Sequence, residues 1–229
     1  KGYISSPNQL GSDIDGESSN DYSGNSVSFN EDATIMAIGA TGNDGNGADS
    51  GHVRIYKYIE NSWTQLGSDI NGESINDKFG GSVSLSSDGT TLAIGTKYNS
   101  KNGASSGHVK IYHYNGSSWI QMGDNIEGQS SGDQLGSSVS LSSDGKTVAI
   151  GATGNDGSVK IFNYNGNSWI QLGSDIDGEA AEDEFGVSVS LSSDGKTIAI
   201  GAHLNDGNGS YAGHVRIYNY NGTAWIQLG

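Results

Sequence analysis

A short acidic motif recurs along the chain and carries the side chains best suited to hold a metal ion. Its first copy reads Asp13-Ile14-Asp15-Gly16-Glu17, and further copies start at residues 69, 125 and 175. Alternation along an extended backbone places Asp13 and Asp15 on one side, and the flexible glycine lets Glu17 join them. Calcium prefers oxygen ligands of this kind. The candidate ligands are Asp13, Asp15, Glu17, Asp69, Glu73, Asp175, Asp177 and Glu179.

The alternative interpretation is an acidic connector whose carboxylates accept hydrogen bonds from backbone N–H groups. The third copy, Asn125-Ile126-Glu127-Gly128-Gln129, keeps a single carboxylate. Because calcium takes six to eight oxygen ligands, this loss of charge favours the connector. We therefore expect no cofactor, with calcium as the alternative.

The four tryptophans are the second set of residues that could bind a ligand. They occupy one position of a repeating unit, at Trp63, Trp119, Trp169 and Trp225. Exposed aromatic rings repeated in this way could stack on sugars and bind glycans at several sites at once. The favoured interpretation is that each ring covers the outer edge of its own core, with its N–H bonded locally. Asn115, Asn208 and Asn221 open triplets that fit the N-glycosylation pattern.

No group of residues predicts catalysis. His52, His108 and His214 share one repeat position, which Ser158 fills in the third copy. We expect these histidines to make local hydrogen bonds where a strand begins, since residues of separate repeats do not converge on one metal. The loops 43–47 and 205–209 each hold one carboxylate and are expected to be flexible polar loops. An active site needs different groups brought together, so the repetition predicts a protein that is not an enzyme.

The elements that position these residues follow from the repeat itself. The spacings between successive tryptophans are 56, 50 and 56 residues. In the second copy, residues 79–86 alternate as a strand, Asp88-Gly89 provides a hairpin turn, and strands over 91–95, 108–114 and 119–122 follow. Each unit is thus predicted to be a four-stranded antiparallel sheet. The third unit is six residues shorter, and the deletion lies between Gly151 and Val159, which predicts a surface loop there.

Units of this length with four strands predict an all-β fold, a β-propeller. The first two strands are rich in Ser, Ala and Gly and the last two carry Tyr, Ile and Trp, as is expected of blades that converge on a central axis. We assign residues 1–229 to one propeller or to part of a larger one. The predicted segments are 1–14, an extra outer strand and connector, and the four blades 22–70, 78–126, 134–176 and 184–229.

The extra outer strand is predicted because residues 4–11 align with residues 116–123, at the end of the second unit. Pro7 replaces the tryptophan, which places this strand at a sheet edge. The strand could close a four-bladed ring, belong to a longer array, or pair with another copy of the molecule. Residues 9–11 repeat the sequence of residues 227–229, which favours the last two alternatives.

The repeat resembles the FG-GAP repeats of integrin α-chain propellers and bacterial surface proteins. That name reflects Phe-Gly before the first strand and Gly-Ala-Pro after the second. Phe79-Gly80 and Phe185-Gly186 match the first part, Gly151-Ala152 and Gly201-Ala202 match the second, and the proline is absent. The family often binds calcium in an Asp-rich loop between the first two strands, whereas turns such as Ser87-Asp88-Gly89 offer too few carboxylates. The resemblance implies the fold and a role in extracellular adhesion or display.

Composition limits the possible partners. The chain has 229 residues, no cysteine, 37 glycines and a net charge of −15. This charge disfavours nucleic acid and anionic membranes, and no apolar run is long enough to insert into a membrane. We expect an extracellular or cell-surface module that is structural, adhesive or assembly-forming through its loops or strand addition. Its partner would be a protein or glycan at a cell surface, or a copy of itself. The alternative is a multivalent glycan-binding propeller, with or without a dependence on calcium.

Overall fold

The structure is a computed structural model that describes residues 9–229. Its described part contains strands, turns and bends, and none of it is helical. Accordingly, the described chain holds no apolar helix of membrane-spanning length. The predicted all-β class is confirmed.

Within residues 9–229, nineteen strands form four sheets, one for each repeat, and we call each sheet a blade. Blade 1 contains β1 (Ser23–Phe29), β2 (Ile35–Ala40), β3 (His52–Ile59), β4 (Ser62–Gln65) and β5 (Ile70–Asn71). Blade 2 contains β6 (Ser82–Leu85), β7 (Thr91–Thr96), β8 (His108–Tyr114), β9 (Trp119–Gln121) and β10 (Ile126–Glu127). Blade 3 contains β11 (Leu135–Leu141), β12 (Thr147–Ala152), β13 (Ser158–Tyr164), β14 (Trp169–Gln171) and β15 (Ile176–Asp177). Blade 4 contains β16 (Ser188–Leu191), β17 (Thr197–Ala202), β18 (His214–Tyr220) and β19 (Trp225–Gln227).

Within each blade the first four strands pair antiparallel in chain order, as the alternation predicts. The Asp-Gly turn between β6 and β7 shows how a tight turn makes two consecutive strands pair antiparallel. Gly89 has a φ of 71°, and the Asp88 carboxylate accepts a hydrogen bond from the backbone N–H of Thr90 at 2.9 Å. Blades 1 to 3 also have a short fifth strand, which pairs with the start of the third strand. The fifth strand lies in the acidic motif and was not predicted.

The first strands of successive blades are neighbours, so they line the axis of the array. Serines connect them. The Ser26 hydroxyl donates to the backbone carbonyl of Gly80 in the next blade at 2.7 Å, and Ser82 and Ser138 make the equivalent bonds. The small side chains of the first strands, which predicted close packing around the central axis, therefore also hydrogen-bond neighbouring blades to one another.

The hydrophobic cores lie between blades. Each core combines the third strand of one blade with the first two strands of the next, as Val109 and Ile111 of β8 pack with Val139 and Leu141 of β11. Three such cores join the four blades of the described chain. Stacked repeats bury their apolar surface in this way.

Two predictions concern particular segments. The loop predicted between Gly151 and Val159 of the third repeat is confirmed, and it is short, because β12 ends at Ala152 and β13 begins at Ser158. The predicted extra outer strand falls mostly on residues 1–8, which lie outside the described residues. Residues 9–14 are not in a strand. The Leu10 carbonyl nevertheless accepts a hydrogen bond from the Trp63 N–H at 2.9 Å, as the end of a preceding blade would.

Candidate functional site

Blade 4 exposes apolar side chains that are buried in the other blades. Val53 and Ile55 of β3 are at most 1% exposed, whereas their equivalents in β18, Val215 and Ile217, are 67% and 43% exposed. We call the surface formed by Val215 and Ile217 the outgoing face. It is the side that a following blade would cover.

Blade 1 exposes the opposite half of the same interface. Leu141 of β11 is 7% exposed, but its equivalent in β1, Phe29, is 48% exposed, and Val27 beside it is 59% exposed. We call the surface formed by Val27 and Phe29 the incoming face. Since no core within residues 9–229 joins blade 4 to blade 1, the described residues do not form the closed four-bladed ring that one alternative required.

Close backbone contacts between neighbouring blades are present in blades 1 to 3 and stop at blade 4. A Cβ atom built on Gly39, Gly95 or Gly151 would lie 1.9–2.3 Å from a glycine carbonyl oxygen of the next blade. These glycines therefore allow two backbones to approach closely. At Gly201 in blade 4, the equivalent Cβ meets only Ser188 of its own blade. The outgoing face thus matches the surfaces that blades 1 to 3 bury against the next blade, but no blade of the described chain covers it.

The acidic motifs pair with basic side chains of the third strands. Glu17 lies 3.7 Å from Arg54, and Glu73 and Glu179 pair with Lys110 and Arg216 in blades 2 and 4. In blade 3 Gln129 replaces the glutamate, and Lys160 pairs with Asp175 instead. Four of the eight candidate carboxylates thus have cationic partners, and not the backbone N–H donors that the connector interpretation expects.

The structure brings only part of the predicted metal set together. Among the described residues, Glu17, Asp69 and His52 place one ligand atom each within 4.8 Å of one another. The Arg54 guanidinium beside Glu17 opposes a cation there. The remaining candidates lie elsewhere, and the metal assignment stays a prediction. Of these, Asp13 and Asp175 accept hydrogen bonds from Gln9 and Gln171, and Asp15 accepts one from Arg54 through its backbone carbonyl.

The three repeated histidines are not as expected. His52 and His108 are 1% exposed, and Nε2 of His52, Nε2 of His214 and both ring nitrogens of His108 have no hydrogen-bond partner. The expected local hydrogen bonds are therefore missing at these atoms. Burial, aided by the nearby Lys110 charge, lowers the pKa of His108 to about 4.

The tryptophans connect blades through their N–H groups. Each indole donates to a backbone carbonyl of the preceding repeat at 2.8–2.9 Å, and the acceptors are Leu10, Leu66, Met122 and Leu172. Each ring also packs at a tilt against a tyrosine of its own blade, as Trp119 does with Tyr114 at 5.3 Å between centroids. These contacts support packing over sugar stacking. The three glycosylation candidates Asn115, Asn208 and Asn221 are all exposed.

A repeated Asn–Asp pair was missed by the sequence interpretation. Asn43 donates to Asp21 at 3.2 Å, and Asn99, Asn155 and Asn205 donate to Asp77, Asp133 and Asp183. Asn43 and Asn205 are buried, so the start of the loops predicted to be flexible is in fact fixed. The constant spacing of 22 residues between the partners was the signal in the sequence.

A cavity of about 490 Å³ opens where the first strands begin and the second strands end. Its wall includes Tyr22 and Thr41 of blade 1, Lys78, Lys97 and Tyr98 of blade 2, and Ser137 of blade 3. We call it the axial pocket. Its size is within the range of small-molecule sites. Both lysine ammonium groups lie over the Tyr98 ring, at 5.6 Å and 5.2 Å from its centroid.

Comparison with known families supports the resemblance. Residues 71–112 and 176–218 match the FG-GAP repeat. No curated protein matches the sequence.

Solved structures of similar fold are β-propellers. Hydrazine synthase of Kuenenia stuttgartiensis is 14% identical with a TM-score of 0.58, over 97% of this chain and 53% of that one. The periplasmic gluconolactonase PpgL of Pseudomonas aeruginosa is 17% identical with a TM-score of 0.58, over 89% of this chain and 56% of that one. TolB of Acinetobacter baumannii is 16% identical with a TM-score of 0.51, over 89% of this chain and 42% of that one. The chain thus spans about half the length of these structures.

Proposed function

We propose that this chain, a β-propeller that carries FG-GAP repeats, is a non-enzymatic assembly module whose outgoing face binds the incoming face of a second copy. The observation that carries the proposal is the exposure of Val215 and Ile217 at one end and of Val27 and Phe29 at the other. The equivalent apolar positions inside the array are buried or half-buried against one another.

A second copy is the occupant that the repeat supports. In blades 1 to 3, the third strand is covered by the first two strands of the next blade. Blade 4 has the same Val, Ile and Gly positions on its outgoing face and can offer them to blade 1 of another copy. Full burial of an apolar side chain contributes about 1.5–3 kcal/mol, partly offset by the lost freedom of the two chains. Because the two faces differ, pairing is head to tail and produces a ring or a filament.

Light scattering after size exclusion tests this pairing. We expect the unmodified chain to form oligomers that become more populated as its concentration rises. Phe29→Asp and Val215→Asp should each give folded monomers, because every interface then contains a buried carboxylate. Ile170→Asp is the matched control, since Ile170 is 52% exposed but lies on β14, away from both faces.

Mixing the two monomeric variants gives a sharper result. One interface of a mixed pair joins the intact outgoing face of the Phe29→Asp chain to the intact incoming face of the Val215→Asp chain. A heterodimer should therefore form, which pairing between two identical faces would not allow. An unmodified chain that stays monomeric, or variants that do not recombine, would show that the proposal is wrong.

We further propose that the module works outside the cytoplasm, at the cell surface or in the cell envelope. The FG-GAP repeats and the acidic surface rich in Asn, Ser and Gly support this location. Cell fractionation with a protease-protection assay tests it. Complete protection in intact cells whose surface and envelope are accessible to the protease would contradict it.

The alternative function is glycan binding, and the axial pocket is the observation that favours it. Tyr22 and Tyr98 are 66% and 42% exposed in its wall, whereas the indole N–H groups of the tryptophans are engaged between blades. A glycan array probed with and without calcium tests this function. Binding to several sugars of one class would support it. If this binding is seen with calcium and lost when calcium is removed, it would also support a metal at the acidic motifs.

A further inference from the structure

Two positions per blade face each other at the axial end of the array. The first lies two residues before the glycine that opens the first strand, and the second follows the end of the second strand. In blades 1 to 4 the first position is Tyr22, Lys78, Gln134 and Glu184. The second position is Thr41, Lys97, Thr153 and His203.

In blades 3 and 4 these two positions satisfy each other. The Thr153 hydroxyl donates to the Gln134 side chain at 3.1 Å. His203 lies 3.7 Å from the Glu184 carboxylate. The backbone at the first position is alike in all four blades, with a φ between 52° and 54°. The side chains at the two positions differ from blade to blade.

Blade 2 places lysine at both positions. Neither Lys78 nor Lys97 makes an ion pair or a side-chain hydrogen bond within residues 9–229. Like charges held close together repel. The feature that distinguishes these two lysines is that they line one pocket, since Lys57, Lys146 and Lys196 also lack an ion pair within residues 9–229. The other five basic residues of the described chain are paired with carboxylates. These five are Arg54, Lys101, Lys110, Lys160 and Arg216.

The surroundings of the two lysines have the features of a binding site. Both lysines lie in the wall of the axial pocket, against Tyr98. Ser137 and Asn25 add polar groups from the neighbouring blades. A carboxylate or sulfate can accept hydrogen bonds from two ammonium groups, while an aromatic ring can pack on the apolar face of a sugar. The pocket therefore combines an anion-binding pair with a stacking surface.

We propose that the axial pocket binds an acidic saccharide, with its anionic group at Lys78 and Lys97 and a sugar ring against Tyr98. This proposal rests on the alternative function, glycan binding, and is independent of pairing between the end faces. The monomeric Phe29→Asp chain should bind as the unmodified chain does, so failure of the pairing and failure of this site are distinguishable.

Calorimetric titration of the whole chain tests the site with four probes. The probes are a carboxylated oligosaccharide such as oligogalacturonate, a sulfated oligosaccharide, a neutral oligosaccharide and inorganic sulfate. We expect one or both acidic oligosaccharides to bind, with an affinity that falls as salt rises, and the neutral one to bind at least tenfold more weakly. Equal binding of inorganic sulfate and the acidic sugars would overturn the saccharide assignment.

Paired variants locate the binding. Lys78→Gln/Lys97→Gln should weaken binding of the acidic sugar at least tenfold, and Tyr98→Ala should weaken it without changing its salt dependence. Lys57→Gln/Lys196→Gln is the control, since it removes the same charge from two exposed lysines outside the pocket. No binding by the folded chain, or equal losses in both double variants, would overturn the proposal.

Discussion

Single residues in this chain compensate for one another within a fixed backbone. Where Gln129 replaces the glutamate of the acidic motif, Lys160 pairs with Asp175, and Ser158 stands where the other blades have a histidine, which is buried in blades 1 and 2. Copies of the motif could be aligned from the sequence, and the choice between a connector and a metal site stays a prediction. The partners of its carboxylates could not be predicted, because the fold brings them from third strands on either side in sequence. Arg54 follows Glu17, whereas Lys160 precedes Asp175.

The buried histidine of blade 2 predicts a pH dependence of stability. Burial lowers the pKa of His108 from 6.5 to about 4, so the unfolded chain binds a proton there more readily than the folded chain. Its contribution to stability is therefore complete above about pH 6.5 and is lost as the pH falls toward 4. Between pH 7 and 4.5 this loss is about 2–3 kcal/mol.

Urea unfolding at both pH values measures the effect. His108→Ser, which copies the residue of blade 3, should reduce the difference in the free energy of unfolding between pH 7 and 4.5. The control is His113→Ser, at an exposed site on the same strand. An unchanged pH dependence in His108→Ser would contradict the prediction.

At the scale of elements, the strands and turns followed from alternation and Asp-Gly signals, whereas contacts between blades did not. The short fifth strands were missed because the motif was interpreted through its acids. Its buried Ile70, Ile126 and Ile176 were an available signal. The two lysines of the axial pocket could not be brought together from the sequence, because 19 residues separate them and only the sheet makes them neighbours.

The glycines at blade interfaces predict different effects at internal and terminal blades. In Gly95→Ala the new methyl group would collide with the Gly136 carbonyl oxygen at 2.3 Å. We expect it to destabilise the chain by about 1–3 kcal/mol, as overpacking does. Gly201→Ala has no following blade to meet and should destabilise the monomer less, while it weakens assembly. Thermal unfolding and light scattering measure the two effects, and equal destabilisation by both substitutions would argue against an open outgoing face.

At the scale of the whole molecule, the propeller class was predictable and closure was not. Small side chains in the first strands and large side chains in the later strands indicate blades arranged around a central axis. The rotation between neighbouring blades decides whether the last blade meets the first, and alternation and turn signals within one blade do not specify that rotation. The duplicated sequence of residues 9–11 and 227–229 was the one hint that favoured a longer array or pairing between copies over a closed four-bladed ring.

An assembly built on apolar faces and highly charged chains predicts an unusual salt dependence. Each copy carries a net charge of −15, so pairing brings two strongly negative surfaces together while its attraction comes from Val215, Ile217, Val27 and Phe29. Salt screens the repulsion and leaves the apolar contact intact. We expect sedimentation equilibrium to show a dissociation constant that falls as sodium chloride rises from 20 to 500 mM, at roughly tenfold or more overall. The Phe29→Asp variant should remain monomeric at every salt concentration, because screening cannot offset a buried carboxylate. A dissociation constant that rises with salt would mean that ion pairs, and not the exposed end faces, hold the copies together.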